Sequence, residues 1–220
     1  FRRWHRRKDQ SGGLIVHKAT HHFDLVNWWT NSVPETVFGM GSLAFYGSDN
    51  ARRRGVNVRY DRYSGNDTKD DPFAIDLKAD DHLKRLYLDA EQYDGYVRDR
   101  NVFGEDITIE DTMSVLVRYR TGIVLNYSLN AYLPSEGFRV AISGTQGRIE
   151  YTEAHHSKVI PGSENTDLND TVIKRKVQDE RKCKLQVHPL FGEPFKLDIP
   201  EAEGGHGGAD FLLQNQIFSP

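Results

Sequence analysis

Residues 11–29 read SGGLIVHKATHHFDLVNWW. Gly12 and Gly13 interrupt whatever precedes them, and Leu14, Ile15 and Val16 form a short apolar run with β-branched members, which predicts a buried strand. Thr20 is then placed to cap a helix, and Asp24 falls in its first turns, where the dipole favours a carboxylate. Phe23, Val26 and Trp29 recur at helical spacing. The polar residues His17, Lys18, His21, His22 and Asp24 therefore gather where strand passes into helix, a junction at which α/β folds place chemistry.

A histidine at a helix start meets the positive end of the dipole, which disfavours the imidazolium. A neutral ring can take a proton near pH 7, as a general base for alcohol oxidation must. His21 and His22 answer that description, and equally that of ordinary capping or core histidines with satisfied hydrogen bonds.

The 220 residues suffice for one large domain or two small ones. With 28% charged residues and a net charge of −3, the chain has a polar surface and is not a general nucleic-acid binder. Cys183 is the only cysteine, which excludes an internal disulfide and a cysteine-based zinc site. No apolar run reaches transmembrane length, so no membrane partner is expected. The opening FRRWHRRK, residues 1–8, is basic and aromatic: a phosphate-binding arm, or the solvated end of a helix or loop.

Asn31, Ser32 and Pro34 stop the helix, and Thr36 to Tyr46 reads as a strand whose Gly39 and Gly41 signal a bulge or a close backbone approach. Residues 47–72, rich in charge, Gly, Asn and Asp, predict a long surface loop, with the Arg52–Arg54 run as an anion contact or a solvated stretch. Residues 76–90 have helical spacing through Leu77, Leu83, Leu86 and Tyr87. In the following DGYVRD, Tyr96 and Arg98 can point into a pocket.

From Ile107 to Tyr151 the period becomes two. Met113, Val115, Val117 and Tyr119, then Leu125, Tyr127 and Leu129, then Val140 and Ile142, then Ile149 and Tyr151 predict four strands in an antiparallel meander. The opposite face is rich in Asn, Ser and Arg and can meet water or another subunit. His155 and His156 lie in a polar stretch without metal-ligand spacing, so no metal site is expected. Further strands are expected over 171–177, 184–188 and 195–199, and glycines around His206 allow close approach to a ligand before a helix that Asp210 caps. The fold class is thus α+β: a large, mainly antiparallel sheet with helices on one face.

Together these motifs resemble the C-terminal domain of the Gfo/Idh/MocA family (glucose–fructose oxidoreductase, inositol dehydrogenase and relatives). The family pattern GG-x3-D-x3-H-x2-D is matched by Gly12, Gly13, His21 and Asp24, with His17 where the family has its first aspartate. The segments DGYVRD, Tyr119 to Gly122, Pro134 to Gly137, GTQGRIE at 144–150 and HGGAD at 206–210 are similar to family segments in the same order.

The resemblance implies an NAD(P)-dependent oxidoreductase acting on a sugar or polyol. His21 is then the catalytic residue that exchanges the hydroxyl proton while hydride passes to or from nicotinamide, and His17, Lys18, His22, Tyr96, Arg98 and His206 contact substrate. It also implies that residues 1–220 are one substrate-binding and oligomerisation domain. NAD or NADP is then bound by a Rossmann domain, carrying an E-K-P lysine, which this sequence does not contain: no G-x-G-x-x-G or Walker A pattern occurs. The 220-residue chain alone is expected to be inactive. Its expected partners are a small carbohydrate and further copies of itself through the sheet face. The expected location is the cytoplasm, or the periplasm if a leader precedes residue 1. Two other readings stay open: a glycoside hydrolase using NAD transiently, and a non-catalytic binding or assembly domain.

Overall fold

In the computed structural model, residues 1–156, 182–199 and 208–219 are described. Chain contacts divide it into two compact units, one built from residues 1–133 and the other from the described residues after 133.

The first unit opens with a 3-10 turn, Trp4–Arg6, and a single helical turn, α1 (Lys8–Ser11). Gly12 (φ 70°) and Gly13 (φ 86°) end it in the left-handed region, where a side chain is strained. The next residues are not the predicted strand. Leu14–His17 form another helical turn, α2, followed after Lys18 and Ala19 by the helix α3 (Thr20–Thr30). A run of only three apolar residues cannot separate strand from helix by pattern. No neighbouring strand pairs with it, and the helix that follows lets the chain wind early. Thr20 is the first helical residue rather than the cap; Ala19 occupies that position and makes no side-chain cap bond. Asn31, at φ 46°, ends α3 where expected.

Strand β1 (Pro34–Ser42) pairs antiparallel with β2 (Thr112–Tyr119), which pairs with β3 (Val124–Asn130). Val37 lies opposite Val117, and Val115 opposite Tyr127. The predicted alternation holds along β2: Met113, Val117 and Tyr119 are buried while Ser114, Leu116 and Arg118 are exposed. The irregularity in β1 falls between Pro34 and Thr36, not at the glycines, but Gly41 does mark a close approach: a Cβ there would sit 2.8 Å from Glu110 Cγ. Helical turn α2 and helix α3 cover one face of this sheet. Ile15, Val16 and Phe23 wall an apolar groove of about 500 Å³ over Val37, Val115 and Val117. The other face shows Phe38, Met40, Leu116 and Val124 to solvent.

The stretch 47–72 is less of a surface loop than its composition predicts. It holds helix α4 (Ser48–Arg53), and Ala51 and Tyr63 are core residues. Ala51 joins Val102 and Phe103; Tyr63 joins Ala74, Ile75 and Leu77. The helix expected over 76–90 starts only at α5 (Asp81–Leu83), where the Asp80 carboxylate accepts from His82 and Leu83 N–H, a side-chain cap. It continues as a π-helical turn, Lys84–Leu88, and ends in α6 (Glu91–Asp94).

The second unit contains a four-stranded antiparallel sheet, β4 (Glu136–Gly144), β5 (Gly147–His156), β6 (Lys182–Pro189) and β7 (Phe195–Leu197), and helix α7 (Ala209–Phe218). Gly208 takes the cap position and Asp210 lies in the first turn. Antiparallel sheets with helices are thus the architecture, as the sequence predicts. The continuous four-strand meander is not formed: β3 and β4 belong to different sheets, and Pro134 begins the second unit. The strand expected over 171–177 and the loop around His206 lie outside the described residues.

Asp111 is buried and its carboxylate accepts from the backbone N–H groups of Ala44, Phe45 and Tyr46 at 2.8, 2.8 and 2.9 Å. Removing it leaves three donors without a partner. Asp111→Ala is therefore expected to lower the free energy of unfolding by about 3 kcal/mol in urea denaturation. Asp111→Asn should lose less, and equal loss in both variants would contradict the hydrogen-bonding role.

Candidate functional site

The site grows from the N-terminal turns of the first unit. The Thr108 N–H donates to the carbonyl of Arg6, and the Lys8 N–H donates to Thr108 Oγ1. Lys8 also forms an ion pair with Glu110. Arg6 is buried and pairs with Asp106 at 2.7 Å while donating to the Asn101 carbonyl. These bonds hold residues 1–8 against the chain that leads into β2, so FRRWHRRK is a built element rather than a solvated end.

That anchoring brings His5 to His17. Their rings lie 4.5 Å apart, and Trp4 stacks on His5 at 3.9 Å. The Nε2 of His17 is buried and has no hydrogen-bond partner among the described residues. Burial holds the His5 pKa down to about 4, helped by His17, Arg3 and Lys18. His17 is also lowered, first by burial and then by Lys18. Both rings are therefore neutral near pH 7, able to donate and accept hydrogen bonds.

Tyr96 and Arg98 pack around Tyr87. Burial raises the Tyr96 phenol, against the opposing charges of Arg98 and Arg3. Arg98 is only 1% exposed, and its guanidinium lies 5.2 Å from the centre of the Tyr87 ring, with Tyr96 packed 6.1 Å from Tyr87. Burial depresses the Arg98 guanidinium, and Arg3 adds to that.

His21 and His22 part company on α3. His21 is exposed, on the solvent side of the first turn with Leu25 and Trp28 one and two turns on. His22 turns to the sheet, where its Nδ1 lies 2.9 Å from Tyr127 Oη. Phe23 packs on the same tyrosine at 4.8 Å. Burial lowers the His22 pKa, with His21 adding to it, and burial raises that of Tyr127, so the pair shares one hydrogen bond between neutral groups. His206 lies outside the described residues.

Of the residues singled out in the sequence, the structure thus sets His17 and Lys18 at the end of α2, packs Tyr96 and Arg98 around Tyr87, and sets His21 and His22 on different sides of one helix. Sequence reasoning missed Arg3, Trp4, His5 and Tyr127. The only signal for the first three was the mixture of basic and aromatic residues at the start. For Tyr127 it was a polar-tipped residue on the apolar face of β3. Among the described residues no cluster of three or more His, Cys, Asp or Glu has the geometry to hold a metal, and no helix is long and apolar enough to cross a membrane. A cavity of about 630 Å³ near Phe45, Tyr60 and Phe73 contains none of the predicted site residues.

Residues 1–214 match a family model described as "Oxidoreductase family, C-terminal alpha/beta domain". The chain is also similar to "Putative oxidoreductase YteT" of Bacillus subtilis (strain 168), with 37% identity over 235 aligned positions that cover 99% of this chain and 49% of that protein. It therefore spans about half the length of that curated relative.

The lowered imidazoles make stability depend on pH. In the unfolded chain a histidine binds its proton near pH 6.5; folded, His5 waits until about pH 4. Between these values the unfolded state holds more protons, so stability falls as pH falls through that window. Melting temperature should drop from pH 6.5 towards 4, and more gently in His5→Gln. Equal slopes in the two proteins would contradict the assignment.

Proposed function

The chain belongs to the Gfo/Idh/MocA oxidoreductase family, as its C-terminal α/β domain, and on that premise we propose that it is the substrate-binding part of an enzyme that oxidises or reduces a sugar or polyol. The observation that carries this reading is the polar turn joining α2 to α3. It sets the His21 imidazole, exposed and with no hydrogen-bond partner among the described residues, three residues after the half-buried His17 and exposed Lys18.

In this reading His21 takes the proton from the reacting hydroxyl during oxidation and returns it during reduction. His17 and Lys18 orient the neighbouring hydroxyls. His22 is held off the reaction by Tyr127 and fixes the helix to the sheet. Tyr96 and Arg98 support the pocket wall from beneath, given the deep burial of Arg98.

The redox partner is NAD or NADP. The described residues do not fit it: the helical turns after Gly12 and Gly13 follow no strand, and the glycine that opens a helix after a strand, Gly47 between β1 and α4, stands without the G-x-G-x-x-G run that cradles a pyrophosphate. The nicotinamide nucleotide is accordingly assigned to protein outside this chain, and the residues here bind substrate and move its proton. The enzyme carrying this domain should lose ~10²–10⁴-fold in turnover on His21→Ala. Steady-state assays with NAD and NADP check this; unchanged turnover would remove His21 from the chemistry.

The open sheet face is the proposed contact for a second copy of the chain. Phe38 lies directly opposite Leu116 there, Val124 opposite Arg118, and all are solvent-exposed. Leu116→Glu should convert the assembled protein to monomer in sedimentation velocity without unfolding it. An unchanged sedimentation coefficient would place assembly elsewhere.

A further inference from the structure

The cavity of about 630 Å³ beside Phe45, Tyr60 and Phe73 lies within the first unit and shares no lining residue with the turn between α2 and α3. Its volume is that of a small-molecule site. Its floor is apolar: Phe45, Phe73 and Phe103 pack with ring centres 5.1 to 6.1 Å apart. Its polar lining carries both signs of charge, with Arg54, Arg59 and Lys69 set among Asp67, Asp70 and Asp71. None of these six forms an ion pair among the described residues.

Two of the six are held in place by the fold. Arg54 follows α4, and its N–H donates to the carbonyls of Asn50 and Ala51. Its guanidinium folds back over Phe45, 3.9 Å from the ring centre, and Nη2 donates to the Phe45 carbonyl at 2.9 Å. The Asp71 carboxylate accepts from Tyr60 Oη at 2.6 Å and from the Phe73 N–H at 2.8 Å. Buried Asn101 ties the wall to the floor, its Nδ2 donating to the Tyr60 carbonyl and its Oδ1 accepting from the Phe103 N–H. A guanidinium has five N–H donors and a carboxylate about four acceptor positions, so Arg54 and Asp71 both keep capacity for a ligand. Donor and acceptor are thus fixed before a ligand arrives, which lowers the cost of binding.

The balance of charge selects the ligand's class. An anion would meet three carboxylates, and a cation would meet three cations. A neutral molecule dense in hydroxyls meets neither penalty. Each hydroxyl can donate to an aspartate and accept from an arginine or lysine, while C–H groups rest on the apolar floor.

We propose that this cavity is a second ligand site of the domain, which binds a neutral saccharide or polyol through Arg54 and Asp71. It stands on the cavity's own lining and does not require His21 to be the proton-transfer residue. No covalent step is involved; the site holds a sugar and does not transform it.

The test is an amide-resolved NMR titration of the 220-residue chain at pH 7. The probes are D-glucose, D-galactose, D-mannose, maltose, lactose and myo-inositol, with inorganic phosphate, acetate and methylammonium as ionic comparators. The amides of Arg54, Asp71 and Phe73 report on the cavity, and those of Lys18 to His22 on the turn. The expected result is saturable shifts of the cavity amides with a neutral probe, at an affinity unchanged as salt is raised. Arg54→Met and Asp71→Asn should each weaken that affinity about tenfold, as loss of a charge-assisted hydrogen bond does. Undisturbed amides along β2 and β3 verify that the variants are folded. Unchanged affinity in both variants would overturn the proposal, as would a cavity that responds to no probe. Phosphate, acetate or methylammonium binding there more tightly than every neutral probe would overturn the ligand class. Shifts confined to the turn would overturn the second site and leave the substrate reading standing. Shifts confined to the cavity would support the second site and count against the turn as the place of the substrate.

Discussion

The segment Asp106–Asp111 is the constraint on which the first unit depends. Its residues face two ways. Ile107 and Ile109 are buried in the interior, while Asp106, Thr108 and Glu110 bind Arg6, the backbone of residues 6–8, and Lys8. Asp111 then turns its carboxylate into the bend after β1, where three successive N–H groups take it as their acceptor. That bend delivers Phe45 and Tyr46 into the aromatic cluster with Phe73, Phe103 and Tyr132. One stretch of six residues thus fixes the basic N-terminal turns, the end of the first strand and the start of the second. Without it Trp4, His5 and Arg3 have no defined place beside His17.

The electrostatic character of the site follows from this anchoring. Where charges meet in the anchor they are paired: Arg6 with Asp106, Lys8 with Glu110. A further buried carboxylate, Asp99, is satisfied by Arg62 and the Ser64 N–H at 2.7 and 2.6 Å. Around His5 and His17 the balance differs, because burial holds both imidazoles neutral near pH 7.

Much of this was legible in the sequence, for identifiable reasons. Period-two alternation found β2 and β3 because one face of that sheet is buried and the other is not, so Met113 and Val117 could not trade places with Ser114 and Leu116. Gly12, Gly13 and Asn31 marked real chain reversals in the left-handed region. Leu14 to Val16 misled, because three apolar residues satisfy a strand and a helical turn alike. Whether β3 continues into β4 is decided by pairing between distant residues, which local pattern does not carry. Among the site residues, the His17–Lys18–His21 spacing was readable along one turn. His5 was not, since it reaches His17 only through bonds to residues one hundred positions away. The division between His21 and His22 likewise depends on Tyr127 across the sheet.

The account stands or falls on where a carbohydrate lies. The most direct measurement is a crystal structure of the protein carrying this domain, grown with nicotinamide cofactor and soaked with a panel of sugars and polyols. The account predicts sugar density within hydrogen-bond reach of His21, at the turn between α2 and α3. Sugar seated instead in the cavity beside Phe45, Tyr60 and Phe73, with the turn between α2 and α3 unoccupied, would contradict it.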